Sequence, residues 1–173
     1  MISYARANNP NSTIERADVE AIPFDAASFD VVLCIEVLRY LPTLDACLSE
    51  IARVLRPGGV CFATAAPRFN LNGYWIVNRL ASSVGVPDLV PLRQYFTTSR
   101  ALRRACMAAG FERPTVAGVY LGPMNWIERL APRRLPTVLR AWEPVDRRLA
   151  NQPLLREVSN MFFVRAVRAG RGG

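Results

Sequence analysis

FDVVLCIEVLRYLPTLDACLSEIARVLRPGGVCFATAAP, residues 29–67, reads as strand, crossover helix, glycine turn and second strand. Residues 29–35 form an apolar run with valines at its centre, which suits a parallel strand covered on both faces better than a half-exposed antiparallel one. Pro42 and Thr43 open a helix. Leu44, Leu48, Ile51, Ala52 and Leu55 recur at helical spacing, with Asp45 in the first turn and Arg53 and Arg56 in the last, where their charges complement the helix dipole. Pro57-Gly58-Gly59 cannot continue that helix, and VCFATAA returns as a strand. The whole is one right-handed βαβ unit.

The 173-residue chain has the length of one domain, and at 51% hydrophobic residues it can fill a core. Its net charge of +8 is unevenly placed: residues 1–67 hold 5 Arg and 8 acids, the remainder 17 Arg and 6 acids. Every basic residue is arginine, which weakens any argument from arginine number alone. Solvated arginine faces are the preferred reading, ahead of an acidic ligand or membrane surface, and nucleic acid is the least favoured partner. Cys34, Cys47, Cys61 and Cys106 are 13, 14 and 45 residues apart, with no CxxC pair and no histidine in the chain, so no metal site is expected. They read as small buried thiols. Without a charged leader or a run of ~18 apolar residues, the expected location is the cytoplasm.

Outward from the central unit, residues 1–7 read as a short helix, residues 8–12 as a turn and residues 13–17 as a strand, with Asp18 at its carboxyl end. Residues 73–84 form a helical stripe, and residues 86–92 a loop. A further helix covers residues 98–109, with Leu102, Ala105, Cys106 and Ala109 inward, and Gly110 ends it in the left-handed conformation. Residues 115–121 and 160–167 are the last two strands, Gly118 marking a bulge. Between them, Leu135, Val138, Leu139, Trp142, Val145 and Leu149 sit at helical spacing among arginines. Pro144 is expected to kink or break that helix.

Residues 22–67 resemble the second half of a class I S-adenosylmethionine (SAM) dependent methyltransferase of the type 11-like kind. The resemblance rests on the acid before an LPF-like turn (residues 18–24), the FD opening of a strand, its EVL ending and the LRPGG helix exit at compatible spacing. It implies an α/β, Rossmann-like sheet whose last strand returns antiparallel between its two neighbours. The glycine-rich loop and the ribose-binding acid of that family find no match in this chain, and residues 1–6 resemble the helix after the family's second strand. The expectation is a carboxyl-terminal portion of the fold, lacking the first βαβ unit. Residues 1–121 would belong to the methyltransferase domain, 122–159 to a helical insertion or substrate cap, and 160–173 to the final strand and tail.

The resemblance places SAM at the carboxyl ends of the strands. It gives Asp18 the adenine amino group and Val19 the ring, and lines the pocket with Cys34, Ile35, Glu36 and Tyr40. Asp18 could equally cap the turn that follows it, and Glu36 could hold its loop by accepting backbone amides. Phe69, Tyr74, Trp75, Tyr95 and Trp126 are candidates to cover a substrate. The family's frequent histidine after EVL is replaced by Arg39 and Tyr40, so no catalytic residue is assigned. Methyl transfer from a sulfonium asks chiefly for alignment and exclusion of water. The first functional expectation is therefore methyl transfer to a small molecule or lipid-like metabolite, with this chain alone binding SAM poorly or not at all. The alternative is a non-catalytic domain acting through a protein partner at the unpaired edge of VVLCI. The basic amphipathic helix adds a peripheral membrane or lipophilic contact as a further reading.

Overall fold

The computed structural model describes residues 2–71, 94–122, 127–128 and 130–170. The helix expected at residues 73–84, the loop at 86–92 and the candidates Tyr74, Trp75 and Trp126 lie outside these residues.

Four strands, β1 (Phe29–Cys34), β2 (Leu55–Ala65), β3 (Phe111–Leu121) and β4 (Ser159–Arg168), make one sheet in the order β1-β2-β4-β3. β1 and β2 are parallel, and β4 runs antiparallel to both β2 and β3. The carboxyl ends of β1, β2 and β3 therefore share one edge of the sheet, where open α/β sheets bind ligands. The last strand inserts between its neighbours as expected.

Helices α1 (Ile2–Asn8), α2 (Asp45–Val54), α3 (Ser99–Ala108), α4 (Leu135–Leu149) and α5 (Pro153–Glu157) complete the described elements. Leu48, Ile51 and Ala52 of α2 and Leu102 and Cys106 of α3 pack on one face of the sheet, against Cys61, Ala63, Val116, Val164 and Ala166. All four cysteines are buried there as free thiols. Thr98 caps α3 by accepting the amide of Ala101 at 3.2 Å, and Gly110 follows it at φ 90°.

The LRPGG segment belongs to β2 rather than to the helix exit alone. Leu55 pairs with Phe29, the chain bulges through Pro57 and Gly58 at φ 81°, and pairing resumes between Val60 and Val31. A side chain on Gly59 would meet the carbonyls of Arg56 and Asp30 at 2.9 and 3.0 Å, so glycine lets β2 close onto β1.

Three expectations need correction. Residues 13–17 form no strand, because no neighbouring strand among the described residues offers them a ladder; the Arg6 guanidinium instead donates to Ile14 O at 2.9 and 3.0 Å. Gly118 marks no bulge, since it pairs in register with Phe162, and the register shift lies between Glu112 and Thr115. Its reason is proximity: a Cβ there would stand 2.4 Å from Ala150 O. Finally, of the kink or break expected at Pro144, the break does not occur, and α4 continues through it to Leu149.

The second face of the sheet is open beside β1. Val31, Leu33 and Ile35 are 52%, 67% and 50% exposed, against the expectation of cover on both faces. β1 also pairs only with β2 within the sheet, leaving its outer backbone edge without a strand among the described residues.

Candidate functional site

The ligand edge begins at the turn around Asp18. Asp18 Oδ1 accepts the amide of Glu20 at 3.0 Å, and Asp18 O accepts that of Ala21 at 3.1 Å. The carboxylate therefore does cap its turn, while its second oxygen carries no protein hydrogen bond among the described residues. Arg16, Ala17, Asp18 and Val19 line an open cavity of about 560 Å³.

What holds this turn is α2. Glu50 Oε2 accepts the amide of Ile22 at 2.9 Å, and Arg53 donates to Ile22 O and Phe24 O, each at 2.8 Å. Glu50 and Arg53 are also ion-paired at 2.7 Å. The Arg53 guanidinium, followed by the Ile22 amide, holds the Glu50 carboxyl down at about 2. A carboxylate and a guanidinium one helical turn apart thus clamp the segment that follows Asp18. Their i, i+3 spacing was visible in the sequence, but their backbone partners 28 to 31 residues away were not.

At the end of β1, Cys34 is buried and Ile35 is exposed. The bond from Cys47 lowers the Cys34 thiol, opposed by burial and by Cys61. Cys47 is driven far up by that same bond, by burial and by the charges of Cys34, Glu20 and Asp18.

Glu36 follows in the left-handed region at φ 61°. Its amide donates to Thr64 Oγ1 at 2.7 Å, that hydroxyl donates to Glu36 Oε1 at 3.3 Å, and Arg39 pairs with the same carboxylate. Glu36 is thus a fastening between β1 and β2, and it accepts a hydroxyl and a guanidinium rather than backbone amides. Thr64, 3% exposed, is a positioning residue that sequence reasoning missed.

Tyr40 ends a short 3-10 turn, Leu38–Tyr40, and is exposed. Tyr95 is brought beside it, its amide donating to Arg39 O at 2.7 Å; past the end of β2 the Arg68 amide donates to Thr97 O at 2.8 Å and the Thr97 amide to Ala66 O at 2.9 Å. A cavity of about 130 Å³ lies between Leu38, Leu41, Thr43, Ala65, Tyr95 and Thr97. Phe69, just beyond, is exposed. Cys34, Ile35, Glu36, Tyr40, Tyr95 and Phe69 lie about the carboxyl ends of β1 and β2, and no cavity among the described residues joins them to Asp18 and Val19. Gly58 and Gly59, at the start of β2, lie at the opposite edge.

A second cluster sits at the end of β3. The Asp146 carboxylate of α4 accepts the amides of Tyr120 at 3.1 Å and Leu121 at 2.5 Å. Trp142 Nε1 donates to Leu121 O at 2.7 Å, and Asn160 donates to Tyr120 O and Gly122 O, each at 2.6 Å. Tyr120 is held at φ 58°. The sequence signal for this cluster was an acid, Asp146, set within the apolar stripe of Leu139, Trp142 and Leu149.

Residues 1–63 match the family model described as a methyltransferase domain. The chain is 39% identical over 89 residues to the phthiotriol/phenolphthiotriol dimycocerosates methyltransferase 1 of Mycobacterium ulcerans, covering 51% of this chain and 30% of that protein. It is 30% identical over 131 residues to the ubiquinone biosynthesis O-methyltransferase of Psychrobacter arcticus, covering 70% of this chain and 49% of that one. The chain thus spans half or less of the length of these relatives. A solved SAM-dependent methyltransferase from Thermotoga maritima superposes with a TM-score of 0.60 at 16% identity, covering 94% of this chain and 67% of the other. The fold is the Rossmann-like one of class I SAM-dependent methyltransferases.

Proposed function

We propose that this chain, with its class I methyltransferase fold, supplies the adenine side and floor of a SAM site and serves methyl transfer to a small-molecule, lipid-like acceptor. The observation that carries the reading is the Asp18 oxygen that has no hydrogen bond among the described residues, beside an open cavity of about 560 Å³. A carboxylate oxygen so placed suits the exocyclic amine of adenine, and Val19 offers the ring an apolar neighbour. SAM supplies the electrophilic methyl group when bound.

The chain's residues position rather than react. Glu50 and Arg53 fix the Asp18 turn, and Thr64 and Arg39 fix Glu36 at the strand end. Such alignment is where methyl transfer draws its rate. The relatives' names favour a lipid-like or quinone-type acceptor.

Calorimetric titration with SAM tests the reading. With contacts on the adenine side only, saturable binding is expected near a dissociation constant of ~1 mM, about −4 kcal/mol. Asp18→Asn keeps the turn cap but not the charge, and it is expected to weaken binding about tenfold. Equal affinity in the variant, or no saturable heat, would sink it.

The open face of Val31, Leu33 and Ile35 favours a second reading, a non-catalytic domain whose β1 edge takes a strand from a partner chain. That reading predicts a stable complex that Leu33→Asp abolishes and that forms without SAM.

A further inference from the structure

The cleft between the end of β3 and α4 has no part in the SAM half-site. It encloses about 280 Å³ and is lined by Tyr120, Leu139, Arg140, Trp142, Glu143 and Asp146. Across the sheet it stands three strand spacings from β1, roughly 14 Å.

Its charges are not equivalent. The Asp146 carboxylate is taken up by two backbone amides, and Glu143 is paired with Arg147 at 2.6 Å. Arg140 makes no ion pair or hydrogen bond among the described residues. Both acids are thus occupied, and among the described residues the guanidinium is the one uncommitted charge lining the cleft. The remaining walls are two aromatic rings, 49% and 38% exposed at Tyr120 and Trp142, and the aliphatic Leu139.

The cleft is also built rather than incidental. Asp146, Trp142 and Asn160 all bind the backbone of residues 120–122, and together they hold Tyr120 in a left-handed conformation that a tyrosine adopts only when its surroundings over-determine it. Tyr120, Trp142 and the Arg140 guanidinium, which has no partner among the described residues, thus line one cleft.

We propose that this cleft binds an aromatic carboxylate. The ring would lie between Tyr120 and Trp142, and the carboxylate would take the planar donor fork of Arg140. At about 280 Å³ and open to solvent on one side, the cleft has room for one ring carrying one carboxylate. As the seat of a methyl acceptor, the cleft rests on the methyl-transfer reading. As a binding site it does not, and its test needs no SAM.

Sodium benzoate is the probe, titrated calorimetrically into the full chain, with benzyl alcohol as the neutral comparison. Saturable benzoate binding is expected, weakened about 10- to 100-fold by Arg140→Gln, which removes a charge-assisted hydrogen bond from an exposed helix position. Tyr120→Gly removes the ring while suiting the left-handed backbone, and is expected to lose binding with the fold intact by circular dichroism. Absence of saturable benzoate binding, benzyl alcohol binding as tightly, or either variant binding like the parent would each overturn the proposal. Failure of SAM titration alongside benzoate binding would strike the cofactor reading alone.

Discussion

The amide of Glu36 donates to the buried hydroxyl of Thr64 at 2.7 Å, tying the left-handed end of β1 to β2. Replacing Thr64 by Val leaves that amide without its acceptor inside a partly closed site. Thr64→Val is expected to cost about 1–3 kcal/mol in urea denaturation, and Thr64→Ser to recover most of it. Equal stability of the Val variant would show that Glu36 is held by other means.

Two glycines are fixed by close approach rather than by turn geometry. Adding a Cβ at Gly59 brings contacts of 2.9 to 3.0 Å, and at Gly118 one of 2.4 Å to a backbone carbonyl. Gly59→Ala is expected to destabilise by about 1–3 kcal/mol, and Gly118→Ala by more, because α4's carboxyl end must move. Thermal melts of the two variants give the order directly.

Glu50 sets an acid dependence. Its folded value is depressed to about 2 from an ordinary 4.5, so its stabilisation is present above 4.5 and is lost as pH falls through about 2. The difference in urea midpoint between the parent and Glu50→Gln is expected to shrink over that window. A constant difference down to pH 2 would contradict the clamp on the Asp18 turn.

The four thiols give a readout of the core. Burial, chiefly, lifts Cys61 to about 12 and Cys106 to about 11, and Cys47 rises further still. Thiolate is scarce at neutral pH for these three, and all four sulfurs are covered. Modification by a disulfide reagent is expected to be slow in the native chain and to reach four equivalents in denaturant.

Legibility in the sequence followed locality. α2 was readable because Leu48, Ile51 and Ala52 repeat with the helix, and β1 and β2 because their apolar runs end at turn residues. The antiparallel return of β4 came with the family resemblance. Residues 13–17 were misread because strand-like composition says nothing about a partner to pair with. The open face of β1 was hidden for a similar reason: Val31 and Leu33 look the same whether covered or bare. At the site, Asp18, Cys34 and Glu36 were named from the motif. Thr64, Arg53 and Asp146 were not, because each works through a backbone group 25 or more residues distant.

The central claim is that the Asp18 turn and the end of β1 form one half of a SAM site. Amide chemical shifts of the isotopically labelled chain, followed during titration with S-adenosylhomocysteine, test it residue by residue. Saturable shifts are expected at Asp18, Val19, Cys34, Ile35 and Glu36, with Tyr120 and Leu121 unmoved. Silence at the first group, or shifts confined to the end of β3, would contradict it.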